Sequence, residues 1–250
     1  MKKNLFSIWN DDTVIAGYTT DCGGRFHFAD PQDAGNYELL ARSFGLSAER
    51  MVRVHQRHTD RVLSVTGEMG GEGILRRNIP DDYDAILTDT DDLMLCVVTA
   101  DCVPVFLYDA VKHVIGLAHS GRAGTIKEIA AKSVWKMQLD YGSSPSDIQC
   151  ILGPYLSTSH HEVRDVDAAP FYESFSSEEC SNILTPRGDR VLVDMGRAIS
   201  ISLQRCGVRE ENIWDCGICT YENENLYSWR REHNHDTQIL SFILMKEKER

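Results

Sequence analysis

The sequence predicts an α+β protein in which mixed β-sheets pack together with helices on the flanks. Three observations predict it. Short runs rich in Val, Ile and Leu dominate the first two-thirds of the chain. Amphipathic helical patterns are fewer and widely separated. The order of the two lacks the strand–helix–strand alternation that a doubly wound parallel sheet requires.

The first strand is expected over residues 13–18. Tyr37, Leu40, Ala41 and Phe44 then recur at helical spacing, and Gly45 supplies a C-terminal cap. Strands over residues 51–55 and 61–65 follow, and the glycine cluster at 67–73 reads as a flexible surface loop. Three more strands are expected at 93–98, 103–108 and 114–118. Ile126, Ile129, Ala130, Val134 and Met137 trace one apolar stripe, starting after Gly124-Thr125 and stopping at Gly142. After a strand at Ile148–Leu152, Asp194 is a good N-cap for a third helix. That helix carries Ile199, Leu203 and Cys206 on one face and ends at Gly207, and Ile239–Met245 is the last strand. With no repeat, low-complexity segment or linker, residues 1–250 read as a single catalytic domain.

Composition narrows the function. The 250 residues carry 26 Lys+Arg against 38 Asp+Glu, a formal net charge of −12. That balance argues against a nucleic-acid or anionic-membrane surface, which needs concentrated Lys and Arg. It leaves room for a small anion in a local pocket. Lys2 and Lys3 give a basic start, but Asn10, Asp11 and Asp12 interrupt before a signal-peptide core forms. The longest apolar stretch, 93–100, falls far short of the roughly 20 residues that span a bilayer. A cytoplasmic protein is expected, with its eight cysteines reduced and most of them buried as small apolar residues.

Three segments place a His or Cys where an apolar strand gives way to a loop: Gln56-Arg57-His58, Thr99-Ala100-Asp101-Cys102-Val103-Pro104, and Ala118-His119-Ser120-Gly121-Arg122-Ala123-Gly124-Thr125. A thiolate and two imidazoles are a known catalytic zinc set, and Asp101 could orient a histidine or a bound water. The spacings are far longer than those of zinc fingers, so a buried Cys with satisfied histidines stays open. So does a metal-free Cys102–His119 nucleophilic pair. Ser120, Gly121 and Gly124 precede a periodic helix whose free N–H groups could hold a phosphate, with Arg122 adding charge. The alternative is a turn that uses glycine for steric reasons. Glu162 is either an acid/base group or a salt-bridge partner. Cys216-Gly-Ile-Cys219 reads as structural, and His160-His161 as a solvated loop. Ser228 to Arg231 is an anion contact or a basic strand end, and Tyr155 and Tyr227 stack on a base or pack.

Read together, these segments resemble the YfiH family, also called the laccase-domain or multicopper polyphenol oxidase family. The matching positions are Gln56 and His58, Asp84-Ala85 with Thr88-Asp89, Ala100-Asp101-Cys102 with Pro104, and His119 with Gly121, Gly124 and Thr125. Further on come Gly153-Pro154, Glu162-Val163, Cys219-Thr220 and Ser228-Trp229-Arg230-Arg231; residues 17–24 and Asn36 also fit. The resemblance implies that His58, Cys102 and His119 ligate a catalytic zinc, and that Asp101, Cys102 and Glu162 act in catalysis. It implies purine nucleosides and inorganic phosphate as partners, met by Asn36, Arg122, Gly124, Thr125, Arg230 and Arg231. The implied chemistry is adenosine deamination and purine nucleoside phosphorolysis. Copper-dependent polyphenol oxidation is the alternative, although two His and one Cys are far fewer ligands than a multicopper enzyme needs. A Cys–His hydrolase-like protein is the third. The chain departs from the family pattern at Asp21 and Ala123, where the family carries arginine, so charge for an anion would come from Arg122, Arg25, Arg230 or Arg231.

Overall fold

The apolar runs sort their side chains, residue by residue, into three large cores and a small fourth around Tyr18, Leu226, Tyr227 and Ile239. The computed structural model describes residues 5–20, 24–80, 82–234 and 237–246; Asp21 and Cys22 lie outside the described residues. The chain begins β1 (Leu5–Asn10), β2 (Val14–Thr19), α1 (Ala34–Arg42), β3 (Met51–Arg53), β4 (Val62–Ser64) and β5 (Ala85–Thr88). It continues through β6 (Met94–Thr99), β7 (Val103–Asp109), β8 (Val114–Ser120), α2 (Arg122–Ile126), α3 (Ile129–Tyr141) and β9 (Ile148–Leu152). Next come β10 (Glu162–Arg164), α4 (Asp165–Ser174), α5 (Ser177–Ile183), β11 (Leu184–Arg187), β12 (Arg190–Val193) and α6 (Met195–Arg205). β13 (Ile213–Asp215), α7 (Trp229–Glu232) and β14 (Ile239–Met245) complete it.

Two mixed sheets form, in the orders β1-β2-β14-β6-β3 and β13-β9-β7-β8-β5-β4, beside a small β10-β12-β11 sheet. Leu95 and Val97 of β6 meet Phe106 and Tyr108 of β7 and Ile115 and Leu117 of β8 between the large sheets. The alternate residues of β6, Met94, Cys96 and Val98, face the other way and pack with Tyr37, Leu40 and Ala41 of α1. Val103, Val105 and Leu107 of β7 likewise face Val134 and Met137 of α3 and Ile199 and Leu203 of α6. Both faces of each central strand are therefore covered, which is why these strands read as unbroken apolar runs. This is the α+β arrangement of mixed sheets and flanking helices that the sequence predicts. No described helix is long and apolar enough to cross a membrane.

Three expectations need correction. The stripe from Ile126 to Met137 is two helices, broken at Glu128, whose φ of 60° is left-handed. Both pieces bury residues against the same core, so the apolar period runs through a break that periodicity cannot register. The segment with α4, α5 and the small sheet was not foreseen, although Ser176 and Glu179 form a reciprocal capping box at the start of α5.

The glycine cluster at 67–73 is packed rather than flexible. Gly71 donates its N–H to the Met51 carbonyl, Arg53 donates to that of Glu72, and residues 70–74 are buried. Gly73 has a φ of +73°, and a Cβ there would lie 1.8 Å from the Arg53 carbonyl oxygen. Only glycine permits that approach. Gly73→Ala is therefore expected to lower stability by about 1–3 kcal/mol. Gly67→Ala, where a Cβ meets nothing nearer than 3.4 Å, should stay within about 0.5 kcal/mol. Urea unfolding of both variants checks the contrast, and equal effects would contradict it.

Candidate active site

Asp84 sits just before β5 and is completely buried. Its carboxylate accepts the backbone N–H groups of Arg57 (3.1 Å), His58 (3.0 Å) and Thr59 (2.7 Å), the Thr59 hydroxyl (2.8 Å), and Nδ1–H of His119 (2.8 Å). So many donors favour its charged form over the opposing effect of burial, and its carboxyl is held well below the usual range. The carboxylate also pins His58 in a left-handed conformation, φ 58°. With Nδ1 of His119 committed to Asp84, the other ring nitrogen is left for the cavity.

Cys102 arrives from a different direction. β6 belongs to one large sheet and β7 to the other, and residues 100–102 cross between them. Asp101 makes the turn at a φ of 83°. Its carboxylate accepts the Thr220 hydroxyl (2.6 Å) and the Arg230 backbone N–H (2.7 Å). Cys102 Sγ then lies 3.8 Å from His58 Nε2, and the two imidazole rings stand 4.8 Å apart at 77°. Burial alone would raise the Cys102 thiol; the adjacent imidazoles outweigh it and bring the thiol down to about 6. Burial opposes protonation of His119, but the Cys102 thiolate and Asp84 push the imidazole up to about 9. Gly121 closes the cluster: a Cβ there would lie 2.5 Å from His58 Cδ2 and 3.0 Å from Cys102 Sγ.

The ligating atoms of His58, Cys102 and His119 all lie within 4.8 Å of one another. One soft sulfur and two imidazole nitrogens suit zinc, and exposed His58 leaves one side open to the cavity. The cavity has a volume of about 680 Å³, in the range of small-molecule sites. Among the described residues, Arg53, Arg122 and Arg230 line it against one carboxylate, Asp101.

The sequence-derived candidates divide. His58, Asp101, Cys102, His119, Arg122 and Arg230 line this cavity. Glu162, Asn36, Gly124, Thr125 and Arg231 are not among its lining residues. Glu162 lies on β10 with its carboxylate 4.0 Å from Arg187 Nε, and only its carbonyl reaches Arg230. Asn36 donates to the Arg25 carbonyl. The Thr125 N–H is consumed by the Gly121 carbonyl and its hydroxyl is paired with Ser120, so Thr125 itself has no donor left for a ligand. Gly124 packs beneath, toward the Thr59 carbonyl. Arg231 clamps the carbonyls of Thr220, Tyr221 and Leu226. Tyr155 donates to Asp215 and Tyr227 to Asn234, so neither hydroxyl is directed to a ligand. Ser228 to Arg231 is the capped start of α7 rather than a strand end.

Other lining residues were missed. His161, read as solvated, faces the cavity with His27, Phe28, His55 and Trp229. A histidine in a polar loop carries no periodic signal of burial, and here the loop is held by Arg230, which donates to the His160 and Glu162 carbonyls, and by Val193, which donates to that of His161. Cys216 and Cys219 are free thiols, and Cys219 accepts the Ser157 N–H.

Fold and cavity together define an α+β protein with a thiol–imidazole centre suited to a metal. The chain belongs to the family described as multi-copper polyphenol oxidoreductase laccase, whose model matches residues 18–246. It is 31% identical over 258 residues to the purine nucleoside phosphorylase YlmD of Bacillus subtilis, covering 95% of this chain and 91% of that protein. The crystal structure of the hypothetical protein YfiH of Bacillus licheniformis superposes with a TM-score of 0.87 at 28% identity, covering 97% of both chains. YlmD from Geobacillus stearothermophilus gives 0.84 at 26% identity, covering 98% of this chain and 100% of that one.

The electrostatics give a direct expectation. In metal-free protein, alkylation of Cys102 by iodoacetamide should increase with pH through a midpoint of about 6, since the depressed thiol is ionised above that value. Asp84→Asn should move the midpoint up by weakening the His119 imidazolium. Mass spectrometry of the Cys102 peptide reads both; a midpoint near the free-thiol value of about 8.5 contradicts the pairing.

Proposed function

We propose that this protein is a zinc-dependent purine nucleoside enzyme, acting as one catalytic domain on purine nucleosides and inorganic phosphate. The observation that carries the reading is the convergence of His58, Cys102 and His119 on the gap left by Gly121, inside a cavity of small-molecule size. Relatives at about 30% identity named purine nucleoside phosphorylase support the substrate class.

His58, Cys102 and His119 would hold the metal. A zinc ion there supplies a Lewis acid that acidifies water near neutral pH. The protein's own groups set the rest. Asp84 fixes the tautomer of His119 and the backbone of His58, so the donor set is preorganised. Asp101 is a positioning residue: both its oxygens are engaged, one by Thr220 and one by the Arg230 N–H, and it locks the crossover that presents Cys102. In phosphorolysis a phosphate oxygen bonds to the ribose anomeric carbon as the bond to the purine nitrogen breaks. The electron pair leaves with the base, which takes up a proton. In adenosine deamination water adds at C6 and ammonia departs.

The polyphenol oxidase alternative is not supported by the donor inventory. The other His-containing donor groups among the described residues, His160/Cys219/Glu222 and His27/Asp30/Asp33, carry a single imidazole each. A multicopper centre needs many more.

Purified protein should carry about one zinc per chain, and His58→Ala should lose most of it, since three protein ligands are needed to hold the ion. Adenosine should yield inosine without phosphate, and inosine should be cleaved only with phosphate. Cys102→Ala should abolish both reactions with little change in melting temperature. Protein without zinc and without turnover of either nucleoside overturns the reading; copper-dependent oxygen uptake with a phenol would favour the alternative.

A further inference from the structure

We infer that Arg122, His161 and Arg230 form the subsite that binds inorganic phosphate, an inference that rests on the phosphorolytic reading above. All three line the cavity that holds the thiol–imidazole cluster. Arg122 directly follows Gly121, the residue that abuts His58 and Cys102. The corner is therefore next to the proposed metal ligands.

His161 is the observation that points to a ligand. Neither ring nitrogen has a hydrogen-bond partner among the described residues; Nδ1 is shut off from solvent, which leaves Nε2 as the nitrogen able to meet a ligand in the cavity that His161 lines. An imidazole with neither nitrogen paired, on the wall of a cavity, is a place for a ligand to bond. Burial and the neighbouring Arg230 and Arg122 charges hold the imidazole down at about 4, so it is neutral at physiological pH. A neutral ring still offers one N–H donor. Both guanidinium charges act on the His161 ring and, being of like sign, repel one another. A doubly charged phosphate matches their charge and relieves that repulsion.

The corner is also built in advance. Arg230 donates to the carbonyls of His160 (2.9 Å) and Glu162 (3.3 Å), on either side of His161. Arginine and loop are thus one unit, ordered before any ligand arrives. Arg122 is less constrained. Its described carboxylate neighbour, Asp167, is 3.6 Å away and is shared with Arg164 at 2.8 Å. Half-exposed, Arg122 can turn inward without leaving a buried charge behind. Ala123, where the family pattern carries arginine, lines the same cavity and offers no donor. Asp101 is the opposing carboxylate in the lining, and its oxygens already accept from Thr220 and the Arg230 backbone. The N-terminal N–H groups of five-residue α2 are not part of the subsite.

Direct binding of inorganic phosphate, measured by calorimetry on the zinc-loaded protein, tests this. Arg122→Ala and His161→Phe should each weaken phosphate binding by about tenfold or more, the usual loss for one charge-assisted or buried hydrogen bond. Arg122→Lys should recover part of the loss. Melting curves of the Arg122 variants should match wild type, because that side chain is half-exposed. Phosphate should also raise the titration midpoint of the His161 imidazole seen by NMR. Unchanged phosphate affinity in both variants, His161 resonances that ignore phosphate, or no phosphate binding by wild type overturns the subsite. Phosphate binding lost in the variants, with no nucleoside cleaved by any form, keeps the subsite and sinks the phosphorolytic reading. Phosphorolysis with an unchanged phosphate KM in Arg122→Ala and His161→Phe does the reverse.

Discussion

One buried carboxylate organises the centre of this molecule. Asp84 has no exposed surface, and a bare charge in that position would be prohibitive. It is tolerated because five donors from two separate segments surround it. Four of those donors belong to the loop that carries His58, and one is the ring of His119. The same charge that needs these partners thus sets the direction of both imidazoles. It also determines the protonation pattern beside it: the carboxylate favours a charged His119, and that cation helps draw the Cys102 thiol down to about 6. Removing Asp84 would leave buried donors unpaired at the point where the cluster is assembled.

The sheets supply the second constraint. β6 and β7 are consecutive in sequence but belong to different layers, so the chain must turn sharply between them. Asp101 takes the left-handed conformation at that turn, and its backbone and carboxylate serve as fixed points. Leu156 donates its N–H to the Asp101 carbonyl, while Thr220 and Arg230 bind the side chain. Segments near 156, 220 and 230 are therefore anchored to the residue beside Cys102. Arg230, on the short α7, is fixed at the cavity by this route, and His161 follows because Arg230 holds the carbonyls on either side of it. A carboxylate with those tasks is a structural pivot, and a proton-transfer role for it would compete with the hydrogen bonds it makes.

What was legible in the sequence follows from how local each feature is. The strands were legible because β6, β7 and β8 bury both faces and leave unbroken apolar runs. The α6 helix was legible because Asp194 caps it, accepting from the Arg197 N–H as its position suggests. His58, Cys102 and His119 stood out because polar, reactive side chains ended apolar strands. The role of Asp84 was not legible: its partners lie 25 to 35 residues away, and only the packed sheets bring them within reach. The Gly124–Thr125 turn illustrates the opposite error. Small residues before a helix have the composition of an anion site, but here the N–H of Thr125 closes onto Gly121 and the glycine accommodates the Thr59 carbonyl. Composition records that the backbone comes close to something; it does not record whether that neighbour is ligand or protein.

Charge distribution joins these points. The chain carries a formal −12, yet among the described residues the cavity lining holds three arginines against one carboxylate. The excess acid must therefore lie elsewhere, largely on exposed surface, where salt screens it over about 8–10 Å. Inside the cavity the fixed positive groups sit among apolar and aromatic walls, where their field is screened less. A neutral nucleoside is indifferent to the outer charge, and an anion that has come within a screening length responds mainly to the lining. The division also explains how an acidic protein can present an anion-attracting interior without a basic surface. Arg53 reinforces it from the far side: it is buried, tied to the Phe26 carbonyl and the Tyr37 hydroxyl, and has no carboxylate partner among the described contacts. A buried guanidinium without a counter-charge is costly, and its hydrogen bonds to the Phe26 carbonyl and the Tyr37 hydroxyl offset part of that cost.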